Sequence, residues 1–145
     1  MKTKNILIIC QANYCRSPVA EYVLKHSLKN KFIIESAGLS PLLSGGMDIR
    51  SKKFLDGLQV EHEYHNPKRV DKKTVNKASF VFAMDAKILQ ELNLRFPQAR
   101  EKIKIFNFLN PLLKITDPYK MNETEYNLIM SNIFSLSNLI SDYLI

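Results

Sequence analysis

The chain has 145 residues, 46% of them hydrophobic, and a formal net charge of +7. That length suits one domain with one core, taken here as residues 1–145, and that apolar content excludes a disordered chain. The early apolar run Ile6-Leu7-Ile8-Ile9 is too short to span a bilayer or to form a signal-peptide core, so no membrane association and a cytoplasmic location are expected.

In chain order the elements alternate. Asn5 to Ile9 reads as a buried strand. Ser17 to Lys29 reads as a helix, with Ala20, Val23, Leu24 and Leu28 at helical spacing. Phe32 to Glu35 is a second short strand, and Met47 to Gly57 a helix ended by its glycine. Ser79 to Ala83 is a third strand, followed by a helix from Ala86 to Phe96 that Pro97 stops. Ile103 to Phe106 is a fourth strand. Glu123 to Leu144 is a long amphipathic helix with Tyr126, Ile129, Met130, Ile133, Leu136, Leu139 and Ile140 as its core stripe. Strands that are apolar without alternation are covered on both faces. Their alternation with helices predicts an α/β fold: a four-stranded parallel sheet joined by right-handed crossovers.

Such sheets bind ligands beyond the carboxyl ends of their strands, which directs attention to the segment after Ile9. It reads Cys10-Gln11-Ala12-Asn13-Tyr14-Cys15-Arg16-Ser17-Pro18. Ser17 reads as a helix N-cap and Pro18 as the first helical position. A helix N-terminus presents unpaired N–H groups and a positive dipole end. The five residues between Cys10 and Arg16 can curl into a cup whose amides converge on one oxyanion. Cys10 then lies at its floor, in surroundings that favour a nucleophilic thiolate. Arg16 begins the helix and can fork onto two phosphate oxygens. Two cysteines this close, beside an arginine, suggest thiol chemistry rather than a disulfide scaffold.

The C-x5-R-S pattern from Cys10 to Ser17, placed after the first strand, resembles the phosphate loop of the low-molecular-weight protein tyrosine phosphatase family. Ser36-Ala37-Gly38 after the second strand, Ala83-Met84-Asp85 after the third, and Asp117-Pro118-Tyr119 match that family in order along essentially the whole chain. The resemblance implies a flavodoxin-like, Rossmann-like fold with helices on both faces of the sheet. It implies that Cys10 forms a phosphocysteine, that Arg16 clamps phosphate, and that Asp117 is the general acid. Gln11, Ala12, Asn13, Tyr14, Cys15 and Ser17 would then line the phosphate, with Tyr119 beside the substrate. Asn13 would hold the strained loop backbone, and the Ser17 hydroxyl would bond the Cys10 sulfur. No metal or other cofactor is required. The implied partners are a phosphotyrosine protein and, in bacteria, a tyrosine kinase of exopolysaccharide export. It further implies inorganic phosphate as the product and a monomer or weak dimer.

The chain departs from the family in having Ala12 where glycine is usual, Lys120 after Tyr119, and no aromatic residue between Leu39 and Met47. The wall against the substrate ring is therefore expected to be aliphatic, from Leu42 and Leu43, aided by Tyr14 and Tyr119. Cys15 reads either as buried filler or as a partner for Cys10 under oxidation. His62 and His65, beside Glu61 and Glu63, lack metal-site spacing and read as surface or locally hydrogen-bonded histidines. The dispersed basic pairs, such as Lys29 with Lys31 and Lys72 with Lys73, come with no nucleic-acid-binding motif, so no nucleic acid is expected. Two rival functions are an arsenate reductase on the same architecture, which would need a relay of later cysteines, and a non-catalytic phosphotyrosine-binding module. No cysteine follows Cys15.

Overall fold

The computed structural model describes residues 3–42 and 46–145. Four parallel strands, β1 (Lys4–Cys10), β2 (Phe32–Gly38), β3 (Phe80–Ala83) and β4 (Ile103–Ile105), form one sheet in the order β2-β1-β3-β4. β1 is central. Its Ile6 aligns with Ile34 and Phe80, and its Ile9 with Ala37 and Ala83. A strand paired on both edges and covered on both faces has no solvent side. Ile6, Leu7, Ile8 and Ile9 are accordingly 0% exposed, which explains the run without alternation.

The helices are α1 (Arg16–Leu28), α2 (Ile49–Gly57), α3 (Lys72–Lys77), α4 (Ala86–Arg95) and α5 (Glu123–Leu144). The chain passes from β1 outward to β2 in one direction and from β3 to β4 in the other. Right-handed crossovers put α1 and α4 on opposite faces of the sheet for that reason. α1, α2 and α5 pack on one another, while α4 lies against β3 and β4.

The structure corrects several expectations. α1 begins at Arg16, with Cys15 at the N-cap and no side-chain cap. Ser17 is not the cap, because its hydroxyl is turned to Cys10 and Asn13 instead. α2 begins at Ile49 rather than Met47, since the Asp48 carboxylate accepts from the Arg50 N–H and caps it. β2 runs on to Gly38 because it stays paired with β1 as far as Cys10. The short α3 was not anticipated. Its one buried side chain is Val75, too little apolar periodicity to read, although the Asp71 cap bonded to the Thr74 N–H was a visible signal. A 3-10 turn over Pro97–Lys102 also went unread. On α5, Leu139 is 38% exposed and lies off the core stripe; the other six stripe residues are buried.

Candidate active site

Beyond the carboxyl end of β1 the chain curls over Cys10–Arg16, and its carbonyls turn outward. The Cys10, Gln11 and Ala12 carbonyls accept from the N–H groups of Leu39, Ser40 and Leu42, at 3.1, 2.8 and 3.0 Å. The Tyr14 carbonyl accepts from the Asp48 N–H at 3.0 Å, and the Cys15 carbonyl from the Ser51 hydroxyl at 2.9 Å. The Asn13 carbonyl lies 2.7 Å from His65 Nε2, so that nitrogen carries the proton and donates. A peptide unit whose oxygen is tied outward must direct its N–H inward. The Asn13 N–H points at the Cys10 sulfur, 3.2 Å away. Those of Ala12, Tyr14, Cys15 and Arg16 have no protein acceptor among the described residues. The result is a concave nest of backbone donors.

Gly38 makes this packing possible. A Cβ there would lie 2.8 Å from the Gln11 carbonyl oxygen and 2.9 Å from the Asn13 nitrogen, both backbone atoms. The close approach of β2 to the loop therefore excludes any side chain at this position.

A buried polar chain fixes the direction of every proton behind the sulfur. The Glu21 carboxylate accepts at both oxygens: Lys25 Nζ donates to one at 2.7 Å and the Ser36 hydroxyl to the other. Ser36 Oγ, its proton committed, accepts from Asn13 Nδ2 at 2.9 Å. The same amide nitrogen donates to Ser17 Oγ at 2.8 Å, while Asn13 Oδ1 accepts from the Lys68 N–H at 3.0 Å. Ser17 is left to donate its own proton to Cys10 Sγ, 2.8 Å away. The sulfur thus receives two hydrogen bonds, from the Ser17 hydroxyl and the Asn13 N–H. Asn13 holds φ = 53° and is fully buried, so its side chain anchors a left-handed backbone that asparagine tolerates better than most residues.

Arg16 is 2% exposed. Its Nη1 donates to Asp85 Oδ2 and to the Ile115 carbonyl, both at 2.8 Å. The ion pair offsets the cost of burying the guanidinium and fixes its plane. Nε and Nη2 have no protein acceptor among the described residues and form the edge of the fork that matches two oxygens of one anion. Asp85 also caps α4 through the Ile88 N–H, at 2.9 Å. Met84-Asp85 therefore ties β3 to the rim of the cup.

A cavity of about 250 Å³ opens over the loop. Cys10, Ala12 and Arg16 line it together with Tyr14, Leu42, Asp117 and Tyr119. The Tyr14 and Tyr119 rings meet edge to face, with centroids 6.1 Å apart. Asp117 is exposed, and its Oδ1 accepts from the Tyr119 N–H at 3.1 Å. Leu42 supplies the expected aliphatic wall; Leu43 lies outside the described residues. Cys15 is buried, and its Sγ donates to Asp48 Oδ2 at 3.7 Å. Burial pushes the Cys15 thiol up to about 12. Both cysteines are free thiols.

His65 was not recognised from the sequence as a site residue. It is 5% exposed and supports the cup from behind, and burial lowers its pKa. Two histidines three apart gave no signal that one of them reached the loop. His62 instead pairs with Asp56 at 2.8 Å, in a wider hollow of about 780 Å³ bordered by Tyr22 and Lys25. No group of three or more histidine, cysteine, aspartate or glutamate side chains suited to a metal occurs among the described residues.

A nest of inward amides around a hydrogen-bonded sulfur suits a bound oxyanion and a thiol nucleophile, the arrangement of cysteine-dependent phosphatases. A family model described as low molecular weight phosphotyrosine protein phosphatase matches residues 5–141, and the chain belongs to that family. It is 27% identical over 122 residues to the low molecular weight protein-tyrosine-phosphatase Wzb of Escherichia coli, covering 84% of this chain and 82% of that one. It is 26% identical over 128 residues to the low molecular weight protein-tyrosine-phosphatase Ptp of Acinetobacter johnsonii, covering 88% of each. The fold is that of the Wzb tyrosine phosphatase solved with sulphate from Escherichia coli, with a TM-score of 0.90, 24% identity and 99% of both chains covered. It is also the fold of the YwlE arginine phosphatase from Geobacillus stearothermophilus, with a TM-score of 0.88, 23% identity, and 97% of this chain and 92% of that one covered.

Proposed function

We propose that this chain hydrolyses phosphotyrosine on proteins through a phosphocysteine intermediate on Cys10. The observation that carries the reading is the cup itself: six consecutive carbonyls turned outward and a sulfur at the centre receiving hydrogen bonds from Ser17 and Asn13. The Cys10 thiolate attacks phosphorus as the bond from phosphorus to the phenol oxygen breaks. The cup amides and the free edge of Arg16 hold the equatorial oxygens. Asp117 gives its proton to the departing phenol oxygen. Its carboxylate then takes a proton from the water that attacks the phosphocysteine, releasing inorganic phosphate and restoring the thiolate.

The 250 Å³ cavity, with Tyr14, Tyr119 and Leu42 around its mouth, suits a flat phenyl ring. Arsenate reduction fits less well. No cysteine follows Cys15, and Cys15 itself is buried with its thiol held protonated. The protein substrate we favour is a bacterial tyrosine kinase of exopolysaccharide export, met in the cytoplasm, with the phosphatase acting as a monomer or weak dimer.

The test is a leaving-group series. Cys10→Ser should abolish turnover of every aryl phosphate while inorganic phosphate still binds, because the cup is backbone. Asp117→Asn should slow phosphotyrosine, whose phenol has a pKa of about 10, far more than an activated nitrophenyl phosphate that leaves with little help. Residual turnover above a few per cent in Cys10→Ser, or parallel slopes in Asp117→Asn, would refute the corresponding assignment.

A further inference from the structure

Thr116–Met121, which carries Asp117, has no regular secondary structure; Pro118 is buried, Met121 packs against the core and the Tyr119 ring meets Tyr14, but few hydrogen bonds hold its backbone. Among the described residues, hydrogen bonds reach this segment from outside through one side chain only, that of Arg50 on α2. Arg50 Nη1 donates to the Met121 carbonyl at 2.9 Å, and Nη2 to the Tyr119 carbonyl at 3.0 Å. The same guanidinium grips Asp48, with Nε 3.0 Å from Oδ1 and Nη2 2.8 Å from Oδ2. It lies over the Tyr126 ring of α5, 4.0 Å from the centroid. Asp48 in turn reaches the cup: its N–H donates to the Tyr14 carbonyl, and its Oδ2 accepts from Cys15 Sγ.

We infer that Arg50 is a positioning residue for the general acid, a clasp that fixes the Asp117 loop in register with the phosphate cup through Asp48. This rests on the reading of Asp117 as the acid. Holding an irregular loop still costs backbone freedom at every residue, so an unrestrained loop wanders. A proton donor misplaced by about 1 Å costs on the order of a hundredfold in rate. A planar fork that grips two loop carbonyls while anchored on a carboxylate at one end and an aromatic face at the other supplies that restraint. Lysine could not, since one ammonium cannot reach both loop carbonyls and both Asp48 oxygens. The cup keeps its amides without Arg50, so the clasp bears on proton delivery rather than on phosphate binding.

The experiment compares Arg50→Met, which keeps the stem and removes the donors, and Arg50→Lys with the parent protein over an aryl phosphate series. Both should slow phosphotyrosine about 10- to 100-fold in kcat while changing an activated nitrophenyl phosphate by less than about 3-fold. Inorganic phosphate should inhibit all three proteins equally. In Asp117→Asn, adding Arg50→Met should change phosphotyrosine turnover by less than about 2-fold, because the acid it positions is gone. Amide exchange at Tyr119 and Met121 should quicken in Arg50→Met while exchange in the cup does not. If Asp117→Asn steepens the leaving-group slope and the Arg50 variants do not, the clasp is wrong and the acid assignment stands. If Asp117→Asn leaves the slope unchanged, the acid assignment falls and the catalytic role of Arg50 falls with it. Equal losses on all substrates, with unchanged exchange at Tyr119 and Met121, would reduce Arg50 to a structural residue.

Discussion

At the scale of single residues, the site works by assigning each hydrogen one destination. Arg16 illustrates the demand. One guanidinium satisfies Asp85 and the Ile115 carbonyl with Nη1 and still presents Nε and Nη2 along one edge. Lysine at this position would keep the charge and the pairing with Asp85, but no rigid edge would remain for the anion. Arg16→Lys should therefore lose about a hundredfold or more in kcat, comparable to removing a main oxyanion donor. Its melting temperature should stay near that of the parent. Near-normal turnover would mean that Arg16 serves the ion pair alone. Ser17 makes the same point from the other side. Read from sequence it was a helix cap, yet the structure commits its hydroxyl to Cys10 and Asn13. Local propensity could not reveal this, because Asn13, Ser36 and Glu21, which force the orientation, come together only in the fold.

At the scale of elements, the strands, α4 and α5 were legible from apolar runs or an apolar period; α1, buried nearly all round from Arg16 to Leu24, offered only the short spacing of Ala20, Val23, Leu24 and Leu28. What the sequence hid was contact between segments. β2 continues to Gly38 and then hydrogen-bonds the outside of the cup through Leu39, Ser40 and Leu42. Nothing in the local pattern marks these as loop supports. Cys10, Arg16 and Asp117 could be named from spacing and resemblance, and all three border one cavity. Their supporting residues, His65 and Arg50, could not, since a histidine or arginine in a polar stretch looks like any other. The glycine of Ser36-Ala37-Gly38 gives a direct check. Gly38→Ala must displace the Gln11 carbonyl or the Asn13 nitrogen, and backbone does not yield as a side-chain tip does. Activity should fall by roughly a hundredfold, in line with about 1 Å of misplacement, and affinity for inorganic phosphate should fall with it. Unchanged phosphate affinity would show that the loop relaxes without cost.

At the scale of the whole molecule, the neutral ring of His65 links the cup to global stability. Burial lowers its pKa below the ordinary 6.5, so the unfolded chain takes up a proton that the folded chain resists. The contribution of this group is complete above about 6.5 and is lost as pH falls through the folded value. The urea midpoint should therefore drop between about pH 7 and pH 5 more steeply in the parent than in His65→Gln, whose amide can still donate to the Asn13 carbonyl. Equal slopes would remove His65 from the acid response.

The outward pinning of the loop carbonyls has a consequence for regulation. A cup held open by its own scaffold recognises a phosphate group for its oxygens, whatever is attached to it. The inorganic phosphate left by one turnover meets the same amides and the same arginine as the next substrate. Product and substrate therefore compete for one seat, and throughput declines as phosphate accumulates around the enzyme. Selectivity among phosphorylated molecules is left to the side chains above the seat, among the described residues Tyr14, Leu42 and Tyr119 with their neighbours. The fold thereby separates two tasks: a fixed backbone floor sensitive to the surrounding phosphate concentration, and a replaceable rim that chooses whose phosphate is removed.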